Sequence, residues 1–169
     1  MPIRIRGFAS ADTAAIVTLF CDTVHRVNGR DYSPEQVDAW APNNPDIDSW
    51  RRRLKNKRTF VAEEDDQIVG FAELESNGYI DCLYCHADRI GRGIGSELLQ
   101  RIEGSAKKAG LSCIVGDVSV TARPFFERNG FFVVRAQRVE RGGVPILNYH
   151  MKKRLQPLLS SIWSALTLT

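Results

Sequence analysis

The sequence predicts a mixed α/β fold, with a mostly antiparallel central sheet, one β-α-β crossover and flanking helices. Apolar residues recur at steps of four near the start of the chain, at Ile16, Phe20 and Val24, which is typical of an amphipathic helix. The middle of the chain instead has short apolar runs joined by tight turns, and Asn77 followed by Gly78 is a strong hairpin signal. A glycine-rich turn then leads into a helix and a further strand, which is the order of a β-α-β unit.

The composition is that of a globular protein and excludes several other classes. The chain has 169 residues, of which 43% are hydrophobic and 25% charged, so it suits one domain rather than two. The net charge of +3 is compatible with an anionic small ligand but is too small to indicate nucleic acid. No apolar run approaches the roughly 20 residues of a membrane span, and no secretory signal is visible. We therefore expect a cytoplasmic protein with neither a nucleic-acid nor a membrane partner.

We expect one domain over residues 1–155 and a C-terminal tail, 156–169, that could form a short helix. The second helix has a complete start signal, with Ser33 as the N-cap, Pro34 at the first helical position and Gln36 three residues after the cap. The elements expected in order are a strand over 3–6, helices over 10–28, 34–41 and 49–56, strands over 59–63, 67–74 and 79–85, a helix over 94–109, a strand over 111–118, a helix over 121–129, and a final hairpin of 131–140 and 144–152.

Residues 90–96, Ile-Gly-Arg-Gly-Ile-Gly-Ser, are the most informative stretch of the chain. Glycines leave the backbone uncovered, so successive N–H groups at a helix N-terminus can bind phosphate oxygens. Arg92 adds a positive charge that can bind the same phosphate. A dinucleotide-binding turn would need a different glycine spacing and several β-α-β units, and a P-loop would need Gly-Lys-Ser or Gly-Lys-Thr after the turn. A glycine-rich turn that merely starts a helix is the structural alternative.

Two segments of the chain form a pair of motifs at compatible spacing. Residues 83–99 combine a strand, a short turn and the run Gly91-x-Gly93-x-Gly95 before a helix. Residues 119–131 read Ser-Val-Thr-Ala-Arg-Pro-Phe-Phe-Glu-Arg-Asn-Gly-Phe. Together they resemble the two conserved blocks of the GNAT superfamily of acyl-CoA N-acyltransferases, and the resemblance extends over about residues 3–155. It implies an acetyltransferase with the fold of that superfamily and with acetyl-CoA as co-substrate.

The resemblance also implies a cofactor site residue by residue. The strand end would bind the pantetheine arm through backbone groups, and the glycine turn would hold the pyrophosphate. Ile90 stands where the family usually has Gln or Arg, Ser119 where it has Asn, and Phe126 where it often has the Tyr that protonates the leaving thiolate. The residues implied to contact the cofactor are Leu83, Tyr84, Cys85, Gly91, Arg92, Gly93, Ile94, Gly95, Ser96, Ser119 and Phe126.

Acetyl transfer to an amine needs a base more than an acid. A lysine-like amine of pKa about 10.4 must lose a proton before it attacks, whereas a thiol of pKa about 8.5 leaves more readily. Asp81 and Glu73 are the candidate bases, directly or through water, and Asp81 is expected to share a strand face with Leu83 and Cys85. Tyr149 is the substitute acid. Each carboxylate could equally be a solvent-facing strand residue, and Tyr149 a core tyrosine.

The amine site is expected on the first two helices, as the resemblance implies. His25, Tyr32 and Trp40 carry polar or aromatic groups that could bind an aromatic or cationic amine, although at helical spacing such residues are more often core. No metal site is expected, because Cys82 and Cys85 have no second pair to complete four ligands. The sequence leaves a homodimer open.

These observations predict transfer of the acetyl group of acetyl-CoA to a primary amine of a small molecule or peptide, by direct attack in a ternary complex. A non-catalytic acyl-CoA-binding or regulatory module is an alternative, because Ile90 and Phe126 depart from the family pattern. A Rossmann-type oxidoreductase is a third, and it would bind NAD instead of CoA.

Overall fold

The computed structural model describes residues 2–158, in which seven strands form one mostly antiparallel sheet. The strand order is β1-β2-β3-β4-β5-β7-β6, and only the neighbours β4 and β5 are parallel. The strands are β1 (Arg4–Gly7), β2 (Arg58–Glu64), β3 (Gln67–Leu74), β4 (Tyr79–Cys85), β5 (Cys113–Ser119), β6 (Phe132–Arg141) and β7 (Val144–Arg154). The predicted mixed fold with one β-α-β crossover is confirmed.

Within residues 2–158, five α-helices flank this sheet, close to the places that the sequence predicted. They are α1 (Thr13–Arg26), α2 (Pro34–Trp40), α3 (Ile47–Asn56), α4 (Ile94–Lys108) and α5 (Arg123–Arg128). Among residues 2–158, no helix is both long enough and apolar enough to cross a bilayer. Residues 156–158 have no regular secondary structure, and the predicted tail helix otherwise falls in 159–169, outside the described residues. The domain boundary at 155 stays a prediction.

The helix ends show why the local sequence specifies these elements. At the start of α2, Ser33 Oγ accepts from the Gln36 amide at 3.2 Å, while Gln36 Oε1 accepts from the Ser33 amide at 2.9 Å. At the end of α4, Gly110 has a positive φ, and its amide and that of Leu111 donate to carbonyls of the last turn. Because Leu111 closes the helix in this way, β5 begins at Cys113 rather than at the predicted residue 111.

The predicted starts of α1 and α3 were wrong by three and two residues, because the hydrogen bonds of two carboxylates, Asp12 and Asp46, were overlooked. Ser10 does not begin an α-helix: residues Ser10–Asp12 form a 3-10 turn, in which Asp12 Oδ2 accepts from the Ala9 amide at 2.7 Å. Helix α3 starts earlier than expected, because Asp46 is its N-cap and accepts from the amide of Ser49 at 3.1 Å.

The sheet separates two apolar cores, which define the two sides of the site described below. On one side α4 packs its buried face, including Leu98 and Ile102, against the sheet. On the other side α1 and its neighbours pack residues such as Ile16 and Leu54. We call these the α4 side and the α1 side.

The parallel pair β4 and β5 parts early, and this opens the sheet. Only Tyr79 with Val115 and Ile80 with Gly116 are in register. Beyond them the two strands diverge, while β4 stays paired to β3 and β5 to β7. Backbone amides and carbonyls of β4 and β5 that face the gap are not paired with the other strand. They are therefore available to form hydrogen bonds with a ligand.

A bulge in β4 corrects the expected orientation of Asp81. Cys82 pairs with Glu73 and Ile80 pairs with Leu74, so Asp81 is an extra residue in the strand. Its carboxylate lies within 4.8 Å of the ligand atoms of Glu73 and Cys82, on the α1 side. Asp81 therefore does not share the α4-side face of Leu83 and Cys85, because the bulge interrupts the alternation on which that expectation rested.

Candidate active site

A cavity of about 840 Å³ occupies the gap between β4 and β5. Its wall is built from the end of β4, the glycine turn, the start of α4, the end of β5, α5 and the end of α1. The volume lies in the range of small-molecule and cofactor sites. The predicted residues in the wall are Asp81, Leu83, Tyr84, Cys85, Gly91, Gly93, Ile94, Gly95, Ser96, Ser119 and Phe126, together with Trp40.

The glycine turn presents free backbone amides to this cavity. Gly93 is the N-cap of α4, with φ of 87°, and no side chain in the described chain caps the first turn. The N–H groups of that turn have no partner within a helix, and they lie at the positive end of a 15-residue helix dipole. A Cβ at Gly93 would meet no atom within 4 Å, so the space in front of the turn is open. The arrangement suits an anion such as a pyrophosphate.

Arg92 lies outside the cavity wall, unlike the rest of the turn. Its guanidinium donates to Glu64 Oε1 at 3.2 Å, and Arg89 Nε lies 3.6 Å from Glu64 Oε2. Glu64, which is only 9% exposed, thus pairs with both of the cations that could otherwise bind a phosphate. The predicted contact of Arg92 with phosphate requires that it exchange this partner.

Ser119 and Phe126 form the part of the wall that follows β5. Ser119 Oγ accepts from the Ala122 amide at 3.0 Å and from Asn28 Nδ2 at 3.3 Å, so the hydroxyl fixes the turn into α5. Phe126 is 5% exposed and packs edge-to-face against the ring of Phe125. At position 126 the cavity has an apolar edge with no proton to donate.

The end of β4 is held by α1 and carries a buried thiol. Thr23 Oγ1 donates to the Cys85 carbonyl at 2.8 Å. The amide of His86 donates to the Val69 carbonyl on β3, so by alternation the Cys85 amide points away from β3, toward the gap. Burial raises the pKa of the Cys85 thiol to about 12, and the thiol stays protonated at neutral pH.

The two predicted bases have different surroundings. Asp81 is in the cavity wall, with its side chain 25% exposed, and forms a short ion pair with Lys57 Nζ. Glu73 is fully buried and lies outside the wall. Arg53 binds both oxygens of Glu73, with Nη2 to Oε1 at 2.6 Å and Nε to Oε2 at 3.2 Å. The structure thus brings Asp81, but not Glu73, to the cavity.

Because Glu73 is buried with its countercharge, we predict that it stabilises the fold rather than acting in catalysis. Glu73→Gln should lower the free energy of unfolding by about 2–3 kcal/mol, the cost of a buried pair discounted for the partial exposure of Arg53. Urea denaturation measures the change. Asp48→Asn, which removes an exposed pair with Arg51, is the control and should change stability by less than about 1 kcal/mol. Equal effects of the two variants would contradict the assignment.

Of the predicted amine-site residues, the structure brings only Trp40 to the cavity. Tyr32 is buried, donates to the Leu147 carbonyl at 2.6 Å and accepts from the Val120 amide at 2.8 Å. His25 Nε2 lies 2.8 Å from the Ala41 carbonyl. Both side chains therefore tie helices to neighbouring loops and strands, which is the core alternative that helical spacing favoured.

Tyr149, the predicted substitute acid, packs on the α4 side with its ring beneath the guanidinium of Arg123, at 4.5 Å. It lies outside the cavity wall. The structure therefore supports the alternative of a packed tyrosine and gives no side-chain acid at this position.

Sequence reasoning overlooked a polar group on the cavity wall at Asp117. Tyr79 OH donates to Asp117 Oδ2 at 3.0 Å, and His150 Nδ1 lies 2.8 Å from Asp117 Oδ1. Asp117 and His150 face each other across β5 and β7, and Tyr79 comes from β4. The one sequence signal for a polar group at this position is that the carboxylate of Asp117 alternates with the apolar residues of β5.

The Glu73, Asp81 and Cys82 ligand atoms lie within 4.8 Å of one another, a spacing that could hold a metal ion. Arg53 and Lys57 already supply positive charge to this group, and Arg53 Nη2 lies 3.3 Å from Cys82 Sγ. The chemistry of this donor set is therefore that of an ion-pair network rather than of a metal centre.

Comparison with known proteins defines the class of this one. A family model for the acetyltransferase (GNAT) domain matches residues 28–154. The uncharacterized N-acetyltransferase YafP of Escherichia coli K12 is 34% identical over 154 residues, which are 91% of this chain and 97% of that protein. The chain belongs to the GNAT family and, with it, to the acyltransferases.

Solved structures agree with this membership. A GCN5-related N-acetyltransferase from Rhodopseudomonas palustris has a TM-score of 0.88 and 30% identity, over 92% of this chain and 97% of that one. The PaiA N-acetyltransferase of Thermoplasma acidophilum, solved in complex with coenzyme A, has a TM-score of 0.76 and 20% identity, over 91% and 99%. The alternatives of a Rossmann oxidoreductase and of a non-catalytic module are set aside by the family and the fold.

Proposed function

We propose that this protein transfers the acetyl group of acetyl-CoA to a primary amine of a small molecule or peptide, by direct attack in a ternary complex. The observation that carries the proposal is the uncapped first turn of α4, whose amides face a cavity between diverging strands. The Thermoplasma protein of the same fold is solved with coenzyme A, which supports the choice of ligand. The cytoplasmic location stays a prediction from the sequence, which leaves a homodimer open.

The amine must reach the thioester without its proton. Keeping a lysine-like amine deprotonated at pH 7 costs about 4–5 kcal/mol, so a nearby base contributes a large part of the rate. Asp81 is the carboxylate that we assign to this role, because it is in the cavity wall whereas Glu73 is buried outside it. Its ion-pair partner Lys57 holds the side chain in place. Lys57 also lies 3.1 Å from Glu75 Oε1, so the pair continues away from the cavity toward a more exposed carboxylate.

The oxyanion formed by the attack would be stabilised by the backbone. The Cys85 amide points into the gap where β5 no longer pairs with β4, so it is free to donate to the acetyl oxygen. The leaving thiolate needs less help, because its pKa is about 8.5. No side-chain acid is required, in agreement with Phe126 and with the distant position of Tyr149.

Direct attack also makes a prediction for Cys85. A double-displacement route would need an acylated nucleophile, but the protonated Cys85 thiol is a poor one. Cys85→Ser should therefore keep most of the wild-type kcat, and mass spectrometry of enzyme mixed with acetyl-CoA alone should show no acetylated protein. An acetyl adduct on Cys85 that an added amine removes would contradict the ternary complex.

The proposed function is tested by acetyl-CoA binding and turnover. Titration calorimetry should detect binding of acetyl-CoA, and a panel of primary amines should cause release of free CoA with acetylated amine as product. Omission of the amine is the control for hydrolysis. Absence of binding would overturn the proposal, as would release of CoA at a rate independent of every amine.

A further inference from the structure

The two carboxylates in the cavity wall differ in how their charges are balanced. Asp81 is ion-paired with Lys57. Asp117 has two hydrogen-bond partners, a phenol and an imidazole, neither of which carries a permanent charge. Burial raises the pKa of Tyr79 well above its usual value, so this hydroxyl stays a neutral donor. Among residues 2–158, no lysine or arginine nitrogen pairs with Asp117, whose side chain is 26% exposed.

Asp117 also lies on the side of the cavity opposite to the glycine turn and the first turn of α4, which together form the proposed pyrophosphate cradle. It alternates along β5 with Val118, which belongs to the α4-side core, so Asp117 faces the α1 side. Of the cationic wall residues, Arg128 comes from α5, and Arg89 comes from the turn before the glycines, where it is paired with Glu64. The amides at the start of α4 thus favour an anion at that end of the cavity, and Asp117 favours a cation on the α1 side.

A buried acceptor without a partner lies on the same face of the sheet as Asp117. The side-chain Oδ1 of Asn148 is buried and has no hydrogen-bond partner among the described residues. Asn148 is two residues before His150 on β7 and directly opposite Ser119 on β5, so it faces the same side as Asp117. A buried acceptor without a partner is costly in a folded protein, but Asn148 is outside the cavity wall, so the proposal below rests on Asp117 alone.

We propose that Asp117 determines acceptor specificity by binding a second positive charge on the amine substrate, so that the preferred acceptors are diamines. The proposal rests on the proposed function. The attacking nitrogen gives up its proton and becomes a neutral amide, and Asp81 takes that proton. The charge that Asp117 can bind throughout turnover must therefore be on another nitrogen of the same molecule.

The test compares acceptors that differ only in the second charge. The probes are 1,3-diaminopropane, 1,4-diaminobutane and 1,5-diaminopentane, each paired with the n-alkylamine of equal carbon number. In the wild type, kcat/KM for the best diamine should exceed that for its monoamine by about 10- to 100-fold, the range of a hydrogen-bonded ion pair. Asp117→Asn should reduce the preference to less than about threefold through the KM for the diamine, with the KM for acetyl-CoA unchanged.

Two further variants keep this test decisive. Asp117→Glu retains the charge and should retain part of the preference, and Asp48→Asn, an exposed change on α3, should retain all of it. An equal loss for diamines and monoamines in Asp117→Asn would overturn the proposal, as would a wild type without preference. If the wild type acetylates none of the probes, calorimetric titration of 1,4-diaminobutane into the complex with CoA replaces the kinetic test. No binding heat in the wild type, or the same heat in the wild type and in Asp117→Asn, would overturn the proposal. Failure of acetyl-CoA binding, by contrast, would indicate failure of the proposed function itself.

Discussion

Gly95→Val should raise the KM for acetyl-CoA by about 10- to 100-fold, the cost of losing one or two hydrogen bonds to a charged group. Gly95 is in the first turn of α4, and a Cβ there would lie 3.1 Å from the ring of Phe125 and 3.6 Å from Cys85 Sγ. The larger valine side chain must displace Phe125 or enter the cradle, and either change disturbs the amides that hold the pyrophosphate. Initial rates at varied acetyl-CoA and saturating amine give the value.

Gly104→Val is the matched control for this variant. Gly104 is in the same helix, and a Cβ there would meet no atom within 4 Å. Because valine is no worse than glycine in a helix, this variant should keep its thermal midpoint and its KM. A KM for Gly95→Val equal to that of the control would remove the turn as the pyrophosphate site.

Asp81→Asn should reduce kcat/KM at pH 7 by about 10²- to 10⁴-fold, the usual contribution of a positioned base. The loss should shrink as the pH rises toward the pKa of the amine, by about tenfold per pH unit, because solvent then supplies the deprotonated nucleophile. The measurement is kcat/KM for one amine from pH 6 to about 10, in variant and wild type.

Glu75→Gln tests whether the effect of Asp81 is specific. Glu75 is a second carboxylate on Lys57 Nζ, at 3.1 Å, but it lies outside the cavity wall. Glu75→Gln removes a negative charge beside Lys57, as Asp81→Asn does, but it should leave the pH profile close to that of the wild type. A deficit for Asp81→Asn that is constant over all pH values would show that Asp81 positions the substrate and does not take its proton.

Turn and cap chemistry made much of the fold predictable. Ser33 with Gln36 specified the start of α2, and Gly110 specified the end of α4, because both act on backbone groups within six residues. The cradle was predictable for the same reason, since Gly91, Gly93 and the turn of α4 form one continuous stretch. The helix starts that failed, at residues 10 and 49, depended on hydrogen bonds to the carboxylates of Asp12 and Asp46.

Long-range contacts explain the errors at the site. Sequence alternation predicted that Asp81 shares a strand face with Leu83 and Cys85. The pairing of β3 with β4, however, contains a bulge that no local sequence pattern indicates. Glu73 resembled a base in the sequence, but Arg53, 20 positions earlier, buries its charge in an ion pair. The aromatic residue Tyr32 resembled a ligand-binding group, and its hydroxyl is used by backbone groups about 90 to 115 positions away.

The sequence alone therefore determined the order of the helices and strands, the resemblance to GNAT acetyltransferases and the glycine turn that faces the cavity. These features depend on side chains and amides that are neighbours along the chain. Tertiary structure alone decided which carboxylates are available for chemistry. Lys57 meets Asp81 from 24 positions away and His150 meets Asp117 from 33, and the electrostatics of an acid depend on the charges that folding brings beside it.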